Sequence, residues 1–329
     1  MDFLKGNIRS MYGKYLSAAF GSALIGCIYT MVDTAVVGQY QGPQGTAALA
    51  VVAPCWNLIY SLGLLLGAGG GVIFSTHRGS GTGDGSEQQY FTASVIGAAV
   101  LAVLTWLGIW CFETPVLTFF GADAELLPLA QTYLKPVKFV FPLFLVNEML
   151  MFFLQTDGNP GRATLAILSG GIFNIFGDIF FVFGCDMGIF GAGLATAIGA
   201  AISTCVMLTH FLSRKNTLCL VKPTHLLRRL REVFATGFST FFVDMAMGIL
   251  TVLFNRQIMK YLGANALSVY GPIIQVSTFA QCCAYSVGQA AQPIIATNFG
   301  AGKGGRIRQV LRLALGTSAF FGVFWTALS

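Results

Sequence analysis

The sequence predicts an all-α membrane protein, a two-lobe helical bundle with about nine transmembrane helices. Three observations carry this reading. Charged residues make up only 10% of the chain against 55% hydrophobic, with a mean hydropathy of +0.72, whereas soluble domains run near roughly 25% charged. The apolar residues fall in continuous runs of about 20, which at about 1.5 Å per residue cross a ~30 Å hydrocarbon core. A membrane β-barrel would show short alternating segments instead. Finally, the basic residues gather at alternate helix ends.

Taken in order, the helices are expected at about 15–38, 46–76, 90–112, 130–154, 162–184, 188–212, 233–260, 266–297 and 308–328. The first run begins near Tyr15 and is too long for the apolar core of a cleavable signal peptide. Connections are short except at 214–232, a basic linker holding Arg214, Lys215, Lys222, Arg228, Arg229 and Arg231. It separates a six-helix N-terminal lobe, 1–213, from a partial second lobe, 233–329. With the N-terminus inside, only Lys135, Lys138, Arg256 and Lys260 of the 19 Lys and Arg fall outside. That asymmetry predicts a multi-pass protein of the plasma (cytoplasmic) membrane with its N-terminus cytoplasmic. It also explains the net charge of +6 without a nucleic-acid surface. Eight cysteines without a Cys-x-x-Cys, and three histidines, support neither a disulfide framework nor a zinc site. They read as small core residues.

A repeat runs through the chain. Gly45-x-x-Ala48-Leu49-x-Val51-x-x-Pro54 recurs as Gly263-x-x-Ala266-Leu267-x-Val269-x-x-Pro272, displaced by 218 residues. Thr76-x-x-Gly79-Ser80-Gly81 recurs as Thr297-x-x-Gly300-Ala301-Gly302, displaced by 221. Helices 1–3 therefore resemble helices 7–9 in the same membrane orientation, a parallel repeat about the membrane normal. Nine helices make one and a half repeats, so counterparts of helices 4–6, about 100 residues by the spacing of the repeat, are expected beyond Ser329.

The chemistry centres on Asn174-Ile175-Phe176-Gly177-Asp178, inside an apolar run from Ala163 to Gly184. An aspartate facing hydrocarbon there costs about 2.5–3.5 kcal/mol on insertion scales. Asn174 lies one turn earlier on the same face. A packing hydrogen bond between the two is the plain reading. Binding of a coupling ion or proton is the usual reading of an intramembrane carboxylate. Topology puts Asp33 ~7 Å, Asp178 ~9 Å and Thr196 ~12 Å from the outer helix ends. Asp33, Asn174, Asp178 and Thr196 thus share one layer in the outer half of the first lobe, where their oxygens could hold a proton or a hard cation such as Na⁺. Asn147, Glu148, Asp244 and Gln275 are weaker candidates for a substrate path, and a structural salt bridge is an equal reading for Glu148. Pro54, Pro142 and Pro272 are expected to kink their helices. Gly300-Ala301-Gly302-Lys303 looks superficially like a phosphate loop, but Thr297 and Gly304 break the pattern, so no nucleotide site is expected.

Several stretches resemble motifs of the multidrug and toxic compound extrusion (MATE) family of cation-coupled antiporters. They are Val32-Asp33-Thr34-x-x-Val37-Gly38, Gln155-x-x-Gly158-x-Pro160, Asn174-x-x-x-Asp178, Gly191-Ala192-x-x-Ala195-Thr196 and Asn298-x-Gly300-Ala301-Gly302. The resemblance implies two six-helix lobes around a central cleft, of whose twelve helices nine are here. It makes Asp33, Asn174, Asp178 and Thr196 the H⁺ or Na⁺ coupling site of the first lobe, with Na⁺ at Asp33, Asn174 and Asp178. Some members carry a helix 7 glutamate near the place of Met247. Here Asp244 stands about one turn earlier, which puts a second-lobe ion site in doubt.

The leading functional expectation is secondary export of small cationic amphipathic drugs against H⁺ or Na⁺, with the bilayer as partner and no cofactor, nucleotide or nucleic acid. A flippase or exporter of lipid-linked or polysaccharide cargo is the alternative. Its cavity would be lined by Lys and Arg, whereas here these sit at helix ends. A non-functional truncated transporter is a further alternative. An enzyme is not expected, since no nucleophile–base pair or metal motif is evident.

Overall fold

The computed structural model describes residues 3–81 and 85–328, with backbone alone at 252, 255–256, 259–260 and 262–276, and among these residues all regular secondary structure is helical. The helices are α1 (Ile8–Ser80), α2 (Ser86–Phe119), α3 (Leu126–Thr156), α4 (Pro160–Ile179), α5 (Gly188–Leu208), α6 (Leu226–Gly300) and α7 (Gly304–Leu328). A π-helical turn, Phe180–Gly184, extends α4.

At 73 residues α1 would be ~110 Å long if straight, so it must hold two crossings. The break is Gly42, whose φ of 69° and ψ of −161° suit a residue without Cβ, followed by Pro43. The two limbs then run antiparallel. Tyr15 on the first donates to the Gln155 carbonyl (2.7 Å), and Arg78 at the end of the second reaches Asp157 (3.0 Å). Helix α6 doubles back too. Gly237 packs on Leu65 of α1, and Gln292 donates to the carbonyl of Ala68 one turn along. A straight helix would hold those two α6 residues ~80 Å apart. Among the described residues the nine expected spans therefore fall within seven continuous helices, two of them folded back on themselves.

Pro54 and Pro142 sit inside α1 and α3, while helical geometry breaks at Gly42 and at Phe112 (φ −123°, ψ 22°), three residues before Pro115 of α2. Pro272 lies outside the described residues. Lys138, expected as an outer-end marker, is buried instead. Its ammonium pairs with Glu113 at 2.6 Å and lies over the Trp110 ring, joining α2 to α3.

The two halves meet along a seam at the end of the bundle that carries most of the basic residues. There the repeated Thr-x-x-Gly motif contacts itself: the Thr76 carbonyl lies against Gly300 and the Thr297 carbonyl against Gly79. One layer further in, the Leu65 carbonyl lies against Gly237 and the Val233 carbonyl against Gly69. Glycine is required in both pairs because a Cβ would occupy the position of the carbonyl oxygen. Such reciprocal backbone contacts are the close approach that small residues permit between membrane helices. An apolar cluster of Ile8, Met11, Tyr12, Tyr15, Ala290, Ala291 and Ile294 continues the seam between α1 and α6. The N-terminal tail closes its end. Arg306 donates to the carbonyls of Phe3 (3.0 Å) and Gly6 (2.8 Å), and Asn298 to that of Phe3 (3.2 Å). Lys303 donates to the Leu4 carbonyl (3.0 Å), so the phosphate-loop lookalike serves to hold the tail.

Candidate functional site

Helix α4 presents opposite faces to opposite surroundings. Phe176 is 69% exposed, on the surface that would meet lipid, while Asp178 is 0% exposed and Asn174 is buried. The polar face turns inward because α4 and α5 approach closely at Gly170 and Gly199, each against the other's carbonyl. That contact brings Thr196 of α5 to Asn174, whose amide donates to its hydroxyl at 3.1 Å. The Tyr133 hydroxyl of α3 lies 3.5 Å from the same Thr196 oxygen and donates to Asp33 Oδ2 of α1 at 3.4 Å. Asp33 in turn lies within electrostatic reach of Asp178.

Four helices thus converge on one polar cluster, and the structure brings together all four residues of the expected site. Four buried acceptor oxygens there have no hydrogen-bond partner: Asp33 Oδ1, Asn174 Oδ1 and both oxygens of Asp178. Unmet acceptors in a membrane interior are costly. A set made only of oxygens suits a proton or a hard cation. Among the described residues no three His, Cys, Asp or Glu side chains come together as a metal site, so a cation here would depend on two carboxylates with amide and hydroxyl oxygens. Tyr133 is the member that sequence reasoning misses. It is an uncharged aromatic in a chain with 29 Phe and 10 Tyr, and only the fold sets it apart.

A second acidic group lies between the halves. Asp244 of α6 accepts from Ser61 of α1, and from Tyr285 on the returning limb of α6 at 3.4 Å. Glu148 of α3 packs at Gly63, near Ser61 on the same limb of α1, with Oε2 buried and unpartnered, and interacts electrostatically with Asp244. Tyr29, one turn before Asp33, lies within electrostatic reach of both Asp33 and Glu148. Asn147 is placed apart from Glu148. Its amide donates to the Ala200 carbonyl (3.2 Å) and accepts from Thr204 (2.9 Å), joining α3 to α5. Gln275 lies outside the described residues.

At the basic end, Asp157 is a fully buried junction. It accepts from Arg78 (3.0 Å), from His210 Nε2 (2.7 Å), and from the backbone (3.0 Å) and hydroxyl of Thr217. Burial by itself would raise its carboxyl, but the hydrogen bonds from His210, Thr217 and Arg78 together outweigh it and hold the group below the usual carboxylate range.

Residues 18–180, which contain three of these four helices, match the MatE family model. Over that stretch the chain belongs to the MATE family. It is 25% identical over 300 residues to the multidrug export protein MepA of Staphylococcus saprophyticus, covering 90% of this chain and 65% of that protein. To MepA of Staphylococcus aureus strain MSSA476 it is 26% identical over 297 residues, covering 89% and 64%. The chain thus spans somewhat less than two thirds of the length of these relatives. Its fold is that of a MATE multidrug transporter, DinF-BH, solved in complex with R6G. The TM-score is 0.87 at 24% identity, covering 97% of this chain and 72% of the other.

Proposed function

We propose that this MATE protein is a secondary active exporter that carries small lipophilic cations out of the cell in exchange for H⁺ or Na⁺. The observation that carries the reading is the buried pocket of Asp33, Asn174, Asp178, Thr196 and Tyr133, with four acceptor oxygens left unpaired. A carboxylate pair so placed can take up a proton or cation from outside and give it up when a cationic substrate enters the cleft. Glu148 and Asp244 place acidic groups between the halves, which suits a cationic substrate better than an anionic lipid-linked cargo. Energy comes from the ion gradient, one charge crossing about 100 mV supplying about 2.3 kcal/mol.

The sidedness completes the proposal. The end with Arg78, Arg162, the 214–232 linker and Lys303 to Arg312 is cytoplasmic. The protein lies in the plasma membrane, with residues 1–213 as the first lobe and 233–329 as part of the second. The test is export of a lipophilic cationic dye from membrane vesicles under an imposed H⁺ or Na⁺ gradient. Export should follow one gradient and stop when that gradient alone is collapsed. Export that persists without either gradient, or that requires ATP, would refute the reading.

A further inference from the structure

At the inner edge of the cleft, Cys27 of α1 and Cys282 of α6 approach to 2.6 Å between sulfurs, although 255 residues separate them in sequence. Both are half-buried, and all eight cysteines of the chain are free thiols. Cys282 also faces the Ala23 carbonyl, one turn before Cys27, at 3.8 Å, so it sits squarely on that face of α1. The neighbouring Cys283 is buried and projects about 100° around the helix, away from the pair. Sulfurs this close lie well inside ordinary nonbonded contact and near the approach from which a disulfide forms.

The position matters as much as the distance. From the tail contacts at Phe3 and Asn298, the seam between α1 and α6 runs through Met11, Tyr15, Ala290 and Ile294 to the cysteine pair. The two thiols come from opposite halves of the bundle, at the end of the apolar seam nearest the acidic cleft. Nothing in the proposed coupling site uses them.

We propose that Cys27 and Cys282 are an oxidisable dithiol, which a membrane-soluble two-electron oxidant such as a quinone closes into a disulfide stapling the two halves together. Each sulfur gives up its hydrogen as the S–S bond forms, and two electrons and two protons pass to the quinone, which leaves as the hydroquinone. Reduction by a dithiol reverses the step by exchange through a mixed disulfide. While the bond stands, the seam cannot part, and a transporter that must open toward the basic face is held shut.

The test uses diamide, a permeant azo oxidant that takes up the same two electrons and two protons to become a hydrazine. Purified protein is oxidised, blocked with N-ethylmaleimide and cut briefly with trypsin at the exposed Arg214 and Lys215. The fragments are then run with and without dithiothreitol. The fragments bearing Cys27 and Cys282 should migrate together until reduced, and mass spectrometry should find the two joined. Cys27→Ser and Cys282→Ser should each abolish the link. Fragments that separate without reductant, or stay joined equally in both serine variants, would overturn the proposal, and the wild-type peptide map decides alone if a variant cannot be purified. The link rests on geometry only, while its effect on export rests on the proposed function. Vesicles that never export dye count against that function and leave the gel to judge the staple. Linked protein that still exports at the unlinked rate overturns the claim that the bond holds the transporter shut.

Discussion

Asp33 and Asp178 come from helices distant in sequence yet meet in one pocket, and their shape can be kept while their charge is removed. Asp33→Asn and Asp178→Asn should each reduce gradient-driven export to background while the variants insert and melt like wild type, read as efflux per inserted molecule beside thermal stability. A purely structural pair would show the reverse, with lower stability and normal efflux. Tyr133→Phe should be milder. It removes hydrogen bonds worth roughly 0.5–1.5 kcal/mol in all, so the coupling-cation concentration for half-maximal export should rise by up to about tenfold with the maximal rate retained. Asp157→Ala should instead act on folding. It leaves His210 and Arg78 facing a buried void and should cost about 3–5 kcal/mol. Because the Asp157 carboxyl is held below its unfolded range, its contribution is complete above that range and lost as pH falls through the folded value. Acid melting of the wild type should therefore show a component that Asp157→Ala lacks. These residues differ in how legible they were. The Asn174–Asp178 spacing and the expected depth of Thr196 pointed to the pocket, whereas Tyr133 carries no charge. Adjacency alone groups Asn147 with Glu148 in the sequence. Neighbours on a helix point about 100° apart, which sends Asn147 to α5 and Glu148 to the cleft.

The elements of the bundle are joined where backbones touch, and there the sequence repeat acquires a physical meaning. Thr76-x-x-Gly79 and Thr297-x-x-Gly300 read as a mark of symmetry in the sequence. In the fold, each motif supplies the carbonyl that the other's glycine admits. Pairing across the seam is a property of two helices together, so no single stretch could reveal it. Gly79→Ala and Gly300→Ala should each disfavour the closed seam by about 1–3 kcal/mol. The double variant should fall short of additivity because both changes pry apart one contact. Spin-label distances across the basic end should lengthen or broaden in these variants. Gly108→Ala on α2, where an added Cβ meets nothing, should leave them unchanged. Equal distances in the seam variants, in Gly108→Ala and in the wild type would mean that the seam does not depend on the glycines. The helix count was legible, but the folding points were not. Proline signals kinks, yet the sharp reversal of α1 was set by the left-handed φ of Gly42 beside Pro43.

For the whole molecule, hydropathy and the distribution of Lys and Arg were enough to predict a bundle with one basic end, because insertion into a bilayer leaves few alternatives to helices. The interlobe acidic group at Glu148 and Asp244 became visible only when the two limbs of α1 and α6 were placed side by side. The molecule has a polar cluster with unpaired oxygens, an acidic group between its halves and a seam closed at the basic end. The central claim is that the pocket holds a proton or Na⁺ that substrate displaces. The direct measurement is ion release by purified protein in detergent when a lipophilic cation is added, followed as a pH change in weak buffer and as loss of bound ²²Na⁺. Wild type should release one of the two ions in proportion to substrate bound, and Asp178→Asn should bind substrate with no release. Substrate binding that releases neither ion from the wild type, or the same amount from Asp178→Asn, would contradict the assignment.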